Sequence, residues 1–369
     1  MRIGIPREIK PQEGRVALLP IQVKRLVELG HTLWVERDAG TLSDVPDSAY
    51  LAAGASIMDS GEAVYANAKL IVKVKEILPA EFGYLRPEQV IFTNIHGAAD
   101  RRQVDRLLEV GLVAIAAEET HEFGSPNSVL AGEIGALEGV RLVLASHGGT
   151  GRHFMGHFGA PAAKALVLGL GGVGRGALRT VLGLGLSAVG LDVSRGARRE
   201  AMFTWHKQDF RAFDISELGA HLEEADLVVN CVLWDKQRKD HLITRQMLKR
   251  MKPRAVIVDI SCDPAGAIET TRATKWEDPV YEVDGIRHFC VDNIPGAAPA
   301  TASAGYAEAI LPYISLIAEH GPIEACRRDR WLARGLTCAG GELILEEAGR
   351  FQNRPFTPLA EFLQRHAAA

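Results

Sequence analysis

The stretch Lys164–Asp192, KALVLGLGGVGRGALRTVLGLGLSAVGLD, decides how this chain is read. An apolar run, Ala165 to Leu168, leads into Gly169-Leu170-Gly171-Gly172-Val173-Gly174. Apolar residues then recur at helical spacing through Leu182, and a second apolar run closes on Asp192. The order is strand, glycine turn, helix, strand, acid. In a nucleotide-binding unit the glycines act separately. Gly169 permits the tight turn, Gly171 lets the main chain approach a pyrophosphate, and Gly174 lets the helix lie close to the strand. The phosphates would rest on the unpaired N–H groups and positive dipole end of the helix that follows, with Gly172 and Val173 also in the cofactor site. Asp192 is placed to accept hydrogen bonds from an adenosine ribose and to repel a 2′-phosphate, so the expected cofactor is NAD. NADP is less favoured, although Arg195, Arg198 and Arg199 follow closely and one of them could pair with its extra phosphate.

Outward from that unit, 369 residues suit two domains better than one core. A composition 47% hydrophobic and 24% charged is that of an ordinary globular protein, and a net charge of −4 gives no electrostatic ground for nucleic-acid or acidic-membrane partners. The N-terminus MRIGIPREIK is charged where a signal peptide needs an apolar centre, and no uncharged run approaches the ~18 residues of a membrane span. A cytoplasmic protein is expected. The cysteines, Cys231, Cys262, Cys290, Cys326 and Cys338, are odd in number and form no C-x-x-C pair. They read as reduced and mostly buried, with neither a disulfide framework nor a metal site.

Strands are predicted at Arg2–Ile5, Thr32–Val35, Leu70–Lys75, Gln89–Ile95 and Leu112–Ala117, with helices from Pro20 to Gly30, near Ser48–Ala53 and Gly61–Ala66, and over Arg101–Val110. Ser128–Leu144 reads as a helix crossing into a second domain. After the glycine stretch that domain continues with helix Ser216–Glu223, strand Asp226–Val232, helix Thr244–Met251 and strands Ala255–Ile260 and Phe289–Asp292. A long helix, Ala300–Glu319, leaves it, and the tail from Pro322 folds back on the first domain. The expected fold is therefore α/β: two Rossmann-like domains with parallel sheets and an interdomain cleft, the catalytic domain formed by 1–127 and 301–369 and the NAD-binding domain by 128–300.

Ligands of open parallel sheets bind beyond the carboxyl ends of the strands. Three polar residues stand just past predicted strands, namely Lys75 after IVKV, His96 after VIFTNI and Asp263 after VIVDISC; Arg15, in the loop EGRVALLP, is a fourth if its loop reaches the same place. Hydride transfer at a carbon bearing nitrogen or oxygen needs a cation for a carboxylate, a donor for the carbonyl or imine, and an acid/base. Arg, Lys and His suit these roles in turn. Each residue also has a structural reading: Arg15 and Lys75 as surface cations, His96 as a loop histidine, Asp263 as a cap. Spacing alone does not choose between the two.

The blocks MRIGIPREIKPQEGRVALLP, KVKE at Lys75, IFTNIH at His96, the glycine turn, VDISCDPAGAIE at Asp263 and VDNIP at Asn293 occur in one order. With the tail RDRWLARGL, they resemble the alanine dehydrogenase and transhydrogenase α-subunit superfamily over nearly the whole chain. The resemblance implies that Arg15 holds a substrate carboxylate, Lys75 contacts the carboxylate or carbonyl oxygen and His96 is the general acid/base. It also implies that Asp263 assists water or amine beside the nicotinamide and that Asn293 lies near the nicotinamide ribose. With all four chemical residues present, the transhydrogenase branch, which needs no substrate pocket, is disfavoured. The implied activity is reversible NAD-linked deamination of an L-amino acid to a 2-oxo acid by a homo-oligomer, a dimer or hexamer. Two alternatives stand beside it. VDISCDPAGAIE with VDNIP is similar to saccharopine dehydrogenase and lysine-ketoglutarate reductase relatives, which join an amino acid to a 2-oxo acid. There the loop His147–Gly159 would supply Arg152 or His153 to a second substrate arm, or serve as a lid or subunit contact. The other alternative is a non-catalytic NAD-binding sensor. His153 and His157 have a helical metal-ligand spacing, but the glycines around them argue against a helix.

Overall fold

A computed structural model describes residues 1–121, 124–235, 238–262 and 266–366, and the chain forms two compact units, 1–126 with 298–369 and 127–297. In the first unit, β1 (Arg2–Ile5), β2 (Thr32–Glu36), β3 (Ser56–Met58), β4 (Leu70–Val72), β5 (Val90–Thr93) and β6 (Val113–Ala116) pair in parallel. In the second, β7 (Lys164–Leu168), β8 (Ser187–Asp192), β9 (Phe210–Asp214), β10 (Leu227–Asn230), β11 (Val256–Asp259) and β13 (Ile286–Phe289) do the same, with β12 (Val280–Val283) antiparallel at one edge. The chain then returns to the first unit, where β14 (Leu336–Ala339) pairs antiparallel with β6 and carries β15 (Glu342–Leu343). The sheet orders are β15-β14-β6-β5-β4-β1-β2-β3 and β12-β13-β11-β10-β7-β8-β9.

Burial on both faces explains the near-continuous apolar strands. Leu70 and Val72 of β4 face one core with Ile5, Phe92 and the buried side of the long helix Pro299–His320. Ile71 between them faces a second core with Ile91, Ala114 and Leu107. In the second unit Ala165 and Val167 share a core with Val229 and Val258, whereas Leu166 and Leu168 pack with Val228 and Ile257. On the long helix Tyr306, Ile310, Ile314 and Ile317 are fully buried at helical spacing, each stabilising the unit by roughly 1.5–3 kcal/mol as an upper bound. No helix among the described residues is long and apolar enough to cross a membrane.

Both sheets reverse direction once. From β1 the chain moves outward to β2 and β3, then returns to β1's other side as β4; from β7 it moves to β8 and β9, then returns as β10. Each unit thus has a switch point, between β1 and β4 in one and between β7 and β10 in the other, where the loops beyond the carboxyl ends diverge and leave a crevice.

The structure amends the sequence reading in several places. The sheets are mixed, with antiparallel edges. Strands β3, β9, β12, β14 and β15 were missed because they are short or interleaved with charge. The expected strand Phe289–Asp292 starts earlier, at Ile286, because Asp284 (φ 51°) and Gly285 (φ 79°) form a two-residue hairpin turn with β12. The helices expected at Ser216–Glu223 and Thr244–Met251 shrink to Leu218–Leu222 and Arg245–Leu248. Strands β4 and β5 stop short of Lys75 and Ile95 for a reason that bears on the site.

Candidate active site

In the first unit the carboxyl ends of β1, β4, β5 and β6 lie side by side. Beyond β4, the N–H groups of Val74 and Lys75 donate to Glu8 Oε1 at 2.7 and 3.2 Å. Beyond β5, the N–H groups of Ile95 and His96 donate to Glu118 Oε2 and Oε1 at 3.0 and 2.6 Å. In both cases a carboxylate replaces the sheet ladder. Two neighbouring strand ends are thereby turned out of the sheet, one carrying Lys75 and the other His96.

Lys75 is not a surface cation: only 7% of it is exposed. Its carbonyl accepts from Thr93 Oγ1 at 2.6 Å, which ties the end of β4 to that of β5. Burial lowers its pKa, and Lys10 and Arg15 act in the same direction against Glu76 and Glu13. Glu76 lies 3.9 Å from Lys75 Nζ and 2.8 Å from Lys10 Nζ. Although burial opposes it, these two cations hold the Glu76 carboxyl down at about 2.

Arg15 is likewise buried, at 4% exposure. Its Nε and Nη2 donate to the two oxygens of Glu13 at 2.7 and 2.5 Å, so the pair engages two of the five guanidinium donors. Its loop is pinned from the long helix: Ser303 Oγ accepts from Val16 N and meets Ser43 Oγ, which donates to the Gly14 carbonyl. Arg15 is also one of the charges that lower the Lys75 pKa.

Under these residues runs a fully buried charge network. Lys73 Nζ donates to Glu81 Oε1 at 2.6 Å and lies 3.4 Å from Glu8 Oε2, while the Tyr65 hydroxyl donates to Glu81 Oε1 at 3.0 Å. Burial raises the Glu8 pKa, Lys73 and the Val74 amide opposing it. From the long helix, the Tyr306 hydroxyl donates to the Lys73 carbonyl at 3.0 Å.

His96 is half exposed and its backbone is left-handed, φ 48°. A non-glycine residue there costs about 1–3 kcal/mol and persists where its surroundings over-determine it. Here the Glu118 clamp supplies that determination. Glu118 Oε1 also lies 3.8 Å from His96 Nδ1, and burial pushes the Glu118 carboxyl up to about 7 against the pull of the amide hydrogen bonds.

In the second unit the glycine turn sits at the β7–β10 switch point. Gly169 has φ 83°, and a Cβ there would stand 2.9 Å from the Cys231 carbonyl oxygen beyond β10. A Cβ on Gly174 would stand 1.9 Å from the Gly169 oxygen, whereas one on Gly171 would meet nothing within 4 Å. The helix Gly172–Gly183, headed by Gly172 and Val173, opens on this unfilled space. Gly169 and Gly174 are thus required by close backbone contacts and Gly171 borders open space, and the cradle fits a pyrophosphate. Asp192 ends β8, its Oδ2 accepting from Leu170 N and its Oδ1 from Ser194 N, both at 2.7 Å, so it also braces the turn. Of the three arginines that could serve a 2′-phosphate, Arg198 is engaged by Asp214 at 2.8 Å. Asn293 lies beyond β13, buried, its carbonyl accepting from Trp276 Nε1 at 3.1 Å. Asp263 lies outside the described residues.

The loop His147–Gly159 does not face this crevice. Arg152 Nε lies 3.5 Å from Asp226, the residue before β10, and the His153 carbonyl accepts from Ala163 N, the residue before β7. Arg152 and the His153 backbone are therefore anchored at the amino ends of the strands, opposite the glycine turn, which removes the support for a second substrate arm there. No group of His, Cys, Asp or Glu among the described residues is arranged to hold a metal.

These two constellations coincide with two family models: "Alanine dehydrogenase/PNT, N-terminal domain" matches residues 4–130 and "Alanine dehydrogenase/PNT, C-terminal domain" matches 135–346. The chain belongs to the alanine dehydrogenase/PNT family. It is 35% identical to the alanine dehydrogenase of Mycobacterium tuberculosis, over 98% of this chain and 100% of that one, and 34% identical to that of Bacillus subtilis, over 99% and 98%. A solved L-alanine dehydrogenase superposes with a TM-score of 0.87 at 34% identity, covering 96% of this chain and 99% of that one. A transhydrogenase from Sinorhizobium meliloti follows at 0.76 and 25% identity, covering 94% and 99%. Within the family frame, sequence reasoning missed Glu8, Glu13 and Glu118, the carboxylates that hold Lys75, Arg15 and His96. Glu118, two residues past β6, satisfied the strand-end rule that found His96; Glu8 and Glu13 left no such signal.

Proposed function

We propose that this chain is an NAD-dependent amino-acid dehydrogenase that reversibly deaminates an L-amino acid of alanine's class to its 2-oxo acid. The observation that carries the reading is that Lys75 and His96 follow the carboxyl ends of the neighbouring strands β4 and β5, which Thr93 ties together, in a chain whose other unit bears the dinucleotide turn at its switch point.

The turn N–H groups at Gly171, Gly172 and Val173 would hold the pyrophosphate, Asp192 the adenosine ribose and Asn293 the nicotinamide ribose. NAD, when bound, accepts the hydride from the substrate α-carbon. Arg15 and Lys75 hold the carboxylate and the developing carbonyl oxygen; a lysine whose pKa is lowered by burial gives up a proton more readily than one in water. His96 takes the proton released as water adds and returns it in the reverse direction, because an imidazole near neutrality works both ways. Asp263 assists the water or the departing amine. The enzyme is read as a cytoplasmic homo-oligomer, dimer or hexamer, and a monomer in light scattering would refute the assembly.

NADH absorbance with a panel of L-amino acids tests the reading. L-alanine is expected to be turned over, and the reverse reaction to require ammonia with a 2-oxo acid. Consumption of NADH by an amino acid plus a 2-oxo acid without ammonia would replace this reading with the joining reductase. Binding of NAD without turnover of any amino acid would leave a sensor.

A further inference from the structure

The clamp on His96 goes beyond supporting a loop. Glu118 stands on the turn after β6, the strand next to β5, and its two oxygens are divided between two consecutive amides, Ile95 through Oε2 and His96 through Oε1. Oε1, the oxygen already fixed by the His96 amide, is also the one that lies 3.8 Å from His96 Nδ1. The carboxylate therefore clamps the backbone that carries the unusual angle of His96 and lies on the Nδ1 side of its ring. At 3.8 Å the contact is longer than a hydrogen bond, and a proton on the imidazole would shorten it.

We propose that Glu118 is the positioning residue of His96: it locks the imidazole with Nδ1 toward a fixed carboxylate, leaves Nε2 as the atom that exchanges protons with substrate, and stabilises the imidazolium formed during amino-acid oxidation. This rests on the reading of His96 as the general acid/base. Among the described residues, the other charged groups facing Glu118 come from its own turn and from the long helix. Glu119 follows it on the same turn and is drawn off by Arg334 at 3.5 Å. From the long helix, Tyr306 senses Glu118, with Glu8 and Arg15 as its other charged neighbours. Against these, His96 brings a ring nitrogen to 3.8 Å from a Glu118 oxygen. A carboxylate fixed beside an imidazole orients the ring and favours its charged form.

The experiment compares E118Q, E118D and H96A in the full-length protein, measuring kcat, KM for the amino acid, the pH profile of kcat/KM, and NAD binding as the check on folding. In E118Q, kcat should fall about 10-fold or more with NAD binding retained. The acid limb of kcat/KM should move to lower pH by about one unit, since a neutral amide no longer favours the imidazolium. E118D should keep the limb near its wild-type position while losing part of kcat. A structural role alone would change stability without moving the limb. The proposal is overturned if H96A loses about 10²-fold in rate while E118Q keeps wild-type kcat and an unmoved limb. If H96A itself keeps full activity, the acid/base reading falls and this proposal with it. Should E118Q fail to bind NAD, the titration of the His96 ring followed by NMR in the wild-type protein decides. Two inflections, one from each member of the pair, are expected, and a single unperturbed step near 6.5 overturns the proposal.

Discussion

At the scale of single residues, the glycine turn separates binding from folding. Gly171 and Gly174 belong to one motif, yet a methyl group at 171 enters open space and one at 174 collides with the Gly169 carbonyl at 1.9 Å. Gly171→Ala should therefore unfold at the wild-type temperature while binding NAD at least 10-fold more weakly, and Gly174→Ala should lose both binding and stability. Thermal melts with and without NAD distinguish the two; equal behaviour would place the pyrophosphate elsewhere. On the substrate side, His96→Ala is expected to lower the rate by roughly 10²-fold. Glu8→Gln withdraws a charge from the grip on the Val74 and Lys75 amides and leaves Lys73 short of one counter-ion. It should raise KM for the amino acid and cost about 3–5 kcal/mol, because one partner of a buried ion pair is removed; urea denaturation reads the second effect.

At the scale of elements, the contact that organises the second unit is the crossing of helices Ser128–Val143 and Gly172–Gly183, which depends on their glycines. A Cβ on Gly132 would lie 1.9 Å from the Val173 oxygen and one on Gly176 would lie 2.0 Å from the Val129 oxygen, so the two backbones approach as closely as they can. Gly139 faces Leu227 and Val258 in the same way, bringing the crossing helix down on the sheet. Gly132→Ala is expected to cost at least about 3 kcal/mol, the upper end for overpacking, and to weaken NAD binding as well, since Val173 heads the nucleotide helix. An unchanged melting temperature would contradict the close crossing. Both helices were legible in the sequence from their apolar spacing, but Gly132, Gly139 and Gly176 read as composition. Which carbonyl a missing methyl group makes room for is a property of the pair.

At the scale of the whole molecule, pH is the sensitive variable. Burial raises the Glu118 carboxyl from an ordinary 4.5 to about 7, and it raises Glu8 in the same direction. A carboxyl whose folded pKa is raised binds its proton more tightly in the folded state, so stability contributed by that proton is present at low pH and is lost as pH rises from about 4.5 to about 7. The wild-type protein should therefore lose stability relative to E118Q between pH 5 and pH 8, which denaturant titrations at the two pH values measure; a constant difference would mean that Glu118 is not perturbed. NAD at 100 times its Kd should add about 2.7 kcal/mol to the unit that binds it.

The sequence by itself determined the α/β class, the glycine turn with its closing acid, and the crossing helix. Those are encoded in local periodicity and in turn chemistry, which act over a few residues. It left Arg15 and Lys75 undecided between surface and interior, left open where the loop around Arg152 is anchored, and gave no sign of Glu8 or Glu13. Only the tertiary structure decided these. The order in which strands assemble sets which loops meet at a switch point, and a carboxylate selects its N–H partners by where the sheet delivers them. Glu8 meets Val74 and Lys75, and Glu118 meets Ile95 and His96, because β4 lies against β1 and β6 against β5. Those neighbours are close in space and distant along the chain, and no local pattern of residues records the encounter.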